Sequence, residues 1–124
     1  MPSTILIVDD SPTMRSLVRG ALEADHHEVV EAADGAAALA ALDKTRADLV
    51  ITDVNMPEMD GLTFLRALRG RPSYRFTPAL VLTTEANVEL KRRGREAGAT
   101  GSLVKPFNPD QLRQTVQHVL RRAP

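Results

Sequence analysis

A doubly wound parallel α/β sheet of five strands, with five helices on both faces, is the fold this sequence predicts. Three observations carry it. Short apolar runs alternate with helix-length segments from one end of the chain to the other. The runs Ile5-Leu6-Ile7-Val8, Leu49-Val50-Ile51-Thr52 and Ala79-Leu80-Val81-Leu82 are nearly continuous in apolar character, as strands buried on both faces are. The segments between them carry helical start signals and helical periodicity, and strict strand–helix alternation argues for parallel strands joined by crossovers.

The first strand ends at Asp9-Asp10, and Ser11-Pro12 opens a helix, with serine as N-cap and proline at the first helical position. Met14, Leu17, Val18, Ala21 and Leu22 give that helix one apolar face, which ends near Asp25. Val29-Val30 reads as a short second strand. Asp34 caps the alanine-rich stretch 36–42, since alanine is the strongest helix former. The third strand ends at Asp53 and gives way to the loop Asn55-Met56-Pro57-Glu58-Met59-Asp60-Gly61. Leu62, Leu65 and Leu68 mark a third helix closed by Gly70. The fourth strand follows Pro78. The helix after it, roughly 88–97, is weak, because Gly94 in its interior costs about 1 kcal/mol relative to alanine. Gly98 stops it. Leu103-Val104 forms the fifth strand and leads into Lys105-Pro106. Asn108-Pro109 repeats the capping device, and Leu112, Val116, Val119 and Leu120 make the last apolar face. No repeat, linker or low-complexity segment interrupts the pattern, so residues 1–124 are expected to form one domain.

Composition narrows the function. Sixteen basic and sixteen acidic side chains cancel, so no overall field draws the chain to nucleic acid or to an anionic membrane. Cysteine does not occur, which excludes a disulfide scaffold, a thiolate metal site and a cysteine nucleophile. No apolar run is long enough for a transmembrane helix, and a soluble, cytoplasmic protein is expected.

The chemistry gathers at the carboxyl ends of the strands, where open parallel sheets place their ligand sites. Asp9, Asp10 and Asp53 bring three carboxylates to that edge, Thr83 a hydroxyl and Lys105 an ammonium. Adjacent acids beside an apolar edge repel and resist desolvation unless a divalent cation joins them. Mg²⁺ suits such a site, because it prefers carboxylate oxygens and shares its shell with phosphate. As a bland alternative, Asp9 and Asp10 would be helix-capping acids. Asp53 can be a metal ligand only, or also a nucleophile that forms an aspartyl phosphate. Lys105 and Thr83 could then stabilise charge on the phosphoryl oxygens. Proline after a strand end can adopt the cis peptide, which would fix where the Lys105 side chain points.

These residues, together with Asp53-Val54-Asn55-Met56-Pro57-Glu58-Met59-Asp60-Gly61 and Val104-Lys105-Pro106-Phe107, closely resemble the receiver domain of two-component response regulators. Val8-Asp9-Asp10-Ser11-Pro12-Thr13-Met14-Arg15 and Thr83-Thr84-Glu85-Ala86 draw the resemblance toward the single-domain chemotaxis regulators. It covers essentially the whole chain. It implies a flavodoxin-like sheet of order 2-1-3-4-5 and phosphoryl transfer from a histidine kinase onto Asp53. It also implies Mg²⁺ held by Asp10, Asp53 and the Asn55 backbone carbonyl, with Asp9 acting through water. Thr83 and Lys105 would contact the phosphoryl oxygens, the Lys105–Pro106 bond would be cis, and Asn55 and Glu85 would set a relatively short phosphoryl lifetime. The output would be a downstream protein that meets the face of helix four, strand five and helix five. One position departs: three residues before Lys105, where chemotaxis regulators usually carry an aromatic ring that follows the threonine inward, stands Ser102. Order and position of the fourth helix, loosened by Gly94, would then carry the signal.

Other readings compete. A haloacid-dehalogenase-type phosphatase also uses Asp, Thr, Lys and Mg²⁺, but needs a second acid two residues after the nucleophile, where this chain has Asn55. A signalling domain is therefore expected instead of an enzyme. A flavodoxin-like electron carrier would need hydroxyls and glycines where Asp9-Asp10 stand. A degenerate receiver that only binds partners fits poorly with a complete acid, threonine and lysine set. The sequence could also be the front of a longer regulator, though it has no DNA-reading helix of its own. His26, His27 and His118 lack a convincing ligand set. Lys91, Arg92, Arg93 and Arg95 are either a solvated helix face or a docking site for an acidic partner, which Arg113, Arg121 and Arg122 would extend if the helices are neighbours.

Overall fold

A computed structural model of the chain describes residues 3–54, 56, 59–84 and 88–121. Five strands, β1 (Thr4–Val8), β2 (Glu28–Ala32), β3 (Leu49–Asp53), β4 (Ala79–Thr83) and β5 (Gly101–Val104), alternate with five helices. These are α1 (Pro12–Ala24), α2 (Gly35–Leu42), α3 (Gly61–Arg69), α4 (Val88–Ala97) and α5 (Pro109–Arg121). All strand pairs are parallel and the order is β2-β1-β3-β4-β5, as expected. Among the described residues no helix is long and apolar enough to cross a membrane.

The period-2 alternation of the strands sorts the core into two layers. Ile5, Ile7, Leu49, Ile51, Leu80 and Leu82 face one side and meet Val18 and Leu22 of α1 and Leu112, Val116 and Val119 of α5. Leu6, Val8, Val50, Ala79 and Val81 face the other and meet Ala38 and Leu42 of α2, Leu62, Leu65 and Leu68 of α3 and Ala97 of α4. Each fully buried large side chain stabilises the fold by about 1.5–3 kcal/mol relative to exposure.

The helix starts behave as their sequences require. Side chains of Ser11, Asp34 and Asn108 accept from the amides of Met14, Ala37 and Gln111. Gln111 also reaches back to the Asn108 amide, which completes a capping box. Asp60 caps α3 in the same way through the Thr63 amide. Gly98 adopts φ +110° just after α4, and the Arg69 guanidinium donates to its carbonyl as well as to those of Tyr74 and Thr77. One side chain thus ties the end of α4 to the connection before β4.

Three elements differ from expectation. β2 runs over five residues, not two, because it is an edge strand and exposes Glu28 and half-exposes Glu31, which hide it from an apolar count. β5 begins at Gly101 for the same reason, with Ser102 and Val104 exposed on the α4 side of the sheet. A single 3-10 turn, Pro72–Tyr74, precedes β4 and buries Tyr74. Helix α4 runs unbroken through Gly94.

Candidate functional site

The strand order reverses between β1 and β3, and the crevice at their carboxyl ends is where the candidate residues meet. Asp9 and Asp10 follow β1, Asp53 and Thr83 end β3 and β4, and Lys105 follows β5. One carboxylate oxygen from each of Asp9, Asp10 and Asp53 lies within 4.8 Å of the others. The Lys105 Nζ stands 3.4 Å from Asp9 Oδ2 and 3.3 Å from Asp53 Oδ1. Asp9 is 1% exposed, Asp53 8% and Thr83 4%, whereas Asp10 is open to solvent. Thr83 lies one residue beyond Leu82, the register partner of Asp53.

Each acid has its own surroundings. Asp9 Oδ1 accepts from the Ser11 amide at 2.9 Å, a turn contact just before α1, whose N-cap is Ser11, and its second oxygen faces Lys105. Asp10 makes no hydrogen bond or ion pair among the described residues, which leaves its carboxylate available to a ligand. Burial pushes the Asp53 carboxyl above its ordinary value; the Lys105 cation opposes this and the Asp9 carboxylate adds to it. A cluster of three acids with one lysine carries surplus negative charge at a partly buried edge. An oxygen-only donor set of this kind fits a hard divalent cation such as Mg²⁺.

Three residues to which the sequence reading gave no role of their own shape the site. Arg15, one turn into α1, donates Nη1 to the Asp9 carbonyl at 2.6 Å and Nε to Glu31 at 3.0 Å. Arg19 reaches the other oxygen of Glu31 at 2.7 Å, so two arginines of α1 share one carboxylate on β2 and hold the turn after β1. Gly61 donates its amide to the Val54 carbonyl at 2.9 Å, and a Cβ there would overlap the Asp53 carbonyl oxygen. The Arg15 signal was present as a cation one turn past the acids. The Gly61 signal was only an Asp-Gly pair at a loop end.

The Lys105–Pro106 peptide is cis. Asn55 and Glu85, the residues tied to phosphoryl lifetime, lie outside the described residues, as does Arg122. Ser102 is exposed on β5 opposite Val81, on the α4 side of the sheet, and does not reach the acids. His27 Nδ1 accepts from the Ser3 amide, and His26 takes a left-handed turn conformation at φ 67°. Both are therefore parts of the α1–β2 turn. Arg92 is paired with Glu89 and Glu96. Arg113 pairs with Asp110 and lies 4.0 Å from Asp25 at the end of α1, so it does not extend the α4 cluster.

Known proteins share this fold and much of this sequence. The family model described as the response regulator receiver domain matches residues 5–117. Chemotaxis protein CheY-3 of Vibrio cholerae is 38% identical over 119 residues, covering 95% of this chain and 92% of the relative. Transcriptional regulatory protein TrcR of Mycobacterium tuberculosis is 37% identical over 122 residues, covering 98% of this chain, which spans 47% of that protein's length. The solved structure of chemotaxis response regulator CheY4 of Vibrio cholerae superimposes with a TM-score of 0.92 at 49% identity, over 96% of this chain and 99% of that one. The family match, the shared fold and an acidic pocket at the reversal of strand order agree: the chain belongs to the receiver domains of two-component response regulators.

Proposed function

We propose that Asp53 is the phosphoacceptor of this receiver and that residues 1–124 work as one switch domain. Receivers stand between a histidine kinase phosphodonor and a downstream target. The observation that supports Asp53 is its position at the end of β3 with the Lys105 Nζ 3.3 Å from Oδ1 and two more acids alongside. In the transfer, an Asp53 oxygen forms a bond to phosphorus while the nitrogen–phosphorus bond of phosphohistidine breaks, and the imidazole leaves with the electron pair. Positioning and charge stabilisation supply most of the catalysis in such a step. Lys105 follows the growing charge on one phosphoryl oxygen, and the Thr83 hydroxyl donates to another.

Asp10, Asp53 and the Asn55 carbonyl would hold Mg²⁺, with Asp9 acting through water. Bound there, the ion would neutralise surplus carboxylate and supply positive charge to the transferring phosphoryl group. Asn55 and Glu85 set a lifetime that is short for a receiver, while Asn55, lacking a titratable proton, keeps turnover slower than that of a phosphatase with a general acid at this place. The chain is a signalling module and not a classical enzyme. Its partner surface is the face of α4, β5 and α5, and its setting is the cytoplasm. A chemotaxis-type pathway is favoured by the 92% coverage of CheY-3, and a receiver at the front of a longer regulator by the 47% coverage of TrcR. Incubation with acetyl phosphate and Mg²⁺, followed by peptide mass mapping, tests the core claim: a single phosphoryl group on Asp53, lost in Asp53→Asn, is expected. Full labelling of that variant overturns it.

A further inference from the structure

An apolar cavity of about 190 Å³ lies under α4, between that helix and the outer strands of the sheet. Val81 and Thr83 of β4, Leu90 and Gly94 of α4, Ala99 and Ser102 line it. Packed interiors seldom leave voids larger than a water molecule. An apolar cavity of ~150 Å³ accepts a benzene molecule, so this one has room for an aromatic ring. Two positions on its wall carry side chains too small to fill it. Gly94 offers none, and a Cβ built there meets only the Ala99 Cβ, at 3.9 Å. Ser102 stops at its hydroxyl.

The mouth is charged. Lys91 and Arg95, one turn apart on α4, both border the cavity, both are exposed, and neither makes an ion pair among the described residues. Arg92 differs, held by Glu89 at 2.6 Å and by Glu96 at 2.5 Å. The helix therefore directs its own acids to Arg92 and leaves two cations beside an apolar hole. Two apolar side chains near the mouth are also exposed. Val88, 81% exposed, lies in helical register with Lys91 and Arg95, and Val104 stands two residues beyond Ser102 on the same side of β5. Two cations flanking an apolar opening suit a polypeptide that carries carboxylates on either side of an apolar side chain.

We propose that the cavity receives an aromatic side chain from an acidic segment of the downstream partner. The ring enters beside Thr83, and carboxylates flanking it meet Lys91 and Arg95. A ring supplied by another chain would then occupy the space that Ser102 leaves open, in contact with a threonine of the phosphoacceptor site. This rests on the proposed role of the α4 face in controlling a partner.

The test uses the full chain and two blocked peptides, Asp-Glu-Phe-Asp-Glu and its counterpart with alanine for phenylalanine, followed by amide shifts of Ala99 and Gly101. The phenylalanine peptide is expected to bind saturably and at least tenfold more tightly than the alanine peptide. Ser102→Phe, which places a ring in the cavity from within, should abolish that difference, and Lys91→Glu with Arg95→Glu should weaken binding tenfold or more. Equal affinity for the two peptides, an undiminished difference in Ser102→Phe, or no binding at millimolar peptide overturns the proposal. Acetyl phosphate labelling of the unaltered chain, run beside it, separates the two readings. Normal labelling with failed binding removes the cavity proposal alone, and failed labelling removes the receiver site itself.

Discussion

Gly61 packs so closely on the backbone carbonyl of Asp53 that a single methyl group would overlap it. The first residue of α3 therefore sets how near the loop after β3 can come to the end of that strand, and its hydrogen bond to Val54 fixes the approach. Gly61→Ala is expected to destabilise the fold by about 1–3 kcal/mol, the usual range for overpacking. Because the displaced atom belongs to Asp53, phosphorylation by acetyl phosphate should slow as well. Urea midpoints and labelling rates measured on one sample check both. An unchanged labelling rate would show that the loop absorbs the methyl group.

Asp53→Asn is expected to raise stability at neutral pH. The folded carboxyl titrates above its ordinary value, chiefly because it is buried, so the fold binds that proton more tightly than the unfolded chain does. Its contribution therefore falls as pH rises from the unfolded value of 3.8 through the raised folded value. The gain in the variant should be present at pH 7 and vanish below the unfolded value. Thermal midpoints at pH 7 and pH 3 provide the comparison, and Mg²⁺ should stabilise the parent more than the variant.

Asp60 behaves in the opposite sense. Its carboxylate accepts from the Thr63 amide at the start of α3, and that bond holds its pKa below the ordinary range. The stabilisation is present above the unfolded value of 3.8 and is lost as pH falls through the depressed folded one. Asp60→Ala should cost about 1 kcal/mol at pH 7, as the loss of an N-cap does, with the difference shrinking in acid. Chemical denaturation at the two pH values measures it.

Gly94→Ala should stabilise the protein by about 1 kcal/mol, since the helical backbone gains from alanine and the nearest atom to the added Cβ is 3.9 Å away. If order in α4 carries the output, this change should also slow amide exchange there and reduce the contrast between the free and beryllofluoride-bound states. Identical exchange in α4 with and without beryllofluoride would falsify that route.

Local signals were legible where a residue acts within its own segment. Ser11, Asp34 and Asn108 cap helices within three residues, and the uniformly apolar runs marked β1, β3 and β4. The acids, Thr83 and Lys105 were legible because each stands at the end of such a run. What escaped depends on distant partners. Glu31 conceals β2 because its charge is answered by Arg15 and Arg19 on α1. Arg69 gives no sign in sequence that it ties Gly98 to Tyr74 and Thr77. Gly61 looks like a turn residue until β3 is beside it. Ser102 was visible as a departure, but the cavity behind it exists only once α4 covers the sheet.

Lys105 meets Asp9 across a separation of 96 residues. Asp9, Asp10 and Asp53 all precede Lys105 in the chain, so synthesis supplies the acids before the cation that stands beside them. Until β5 adds to the sheet, the crevice holds like charges with no ammonium between them. The charge balance of the crevice is thus a property of the whole sheet and of no single segment, since it needs the ends of β1, β3 and β5 together.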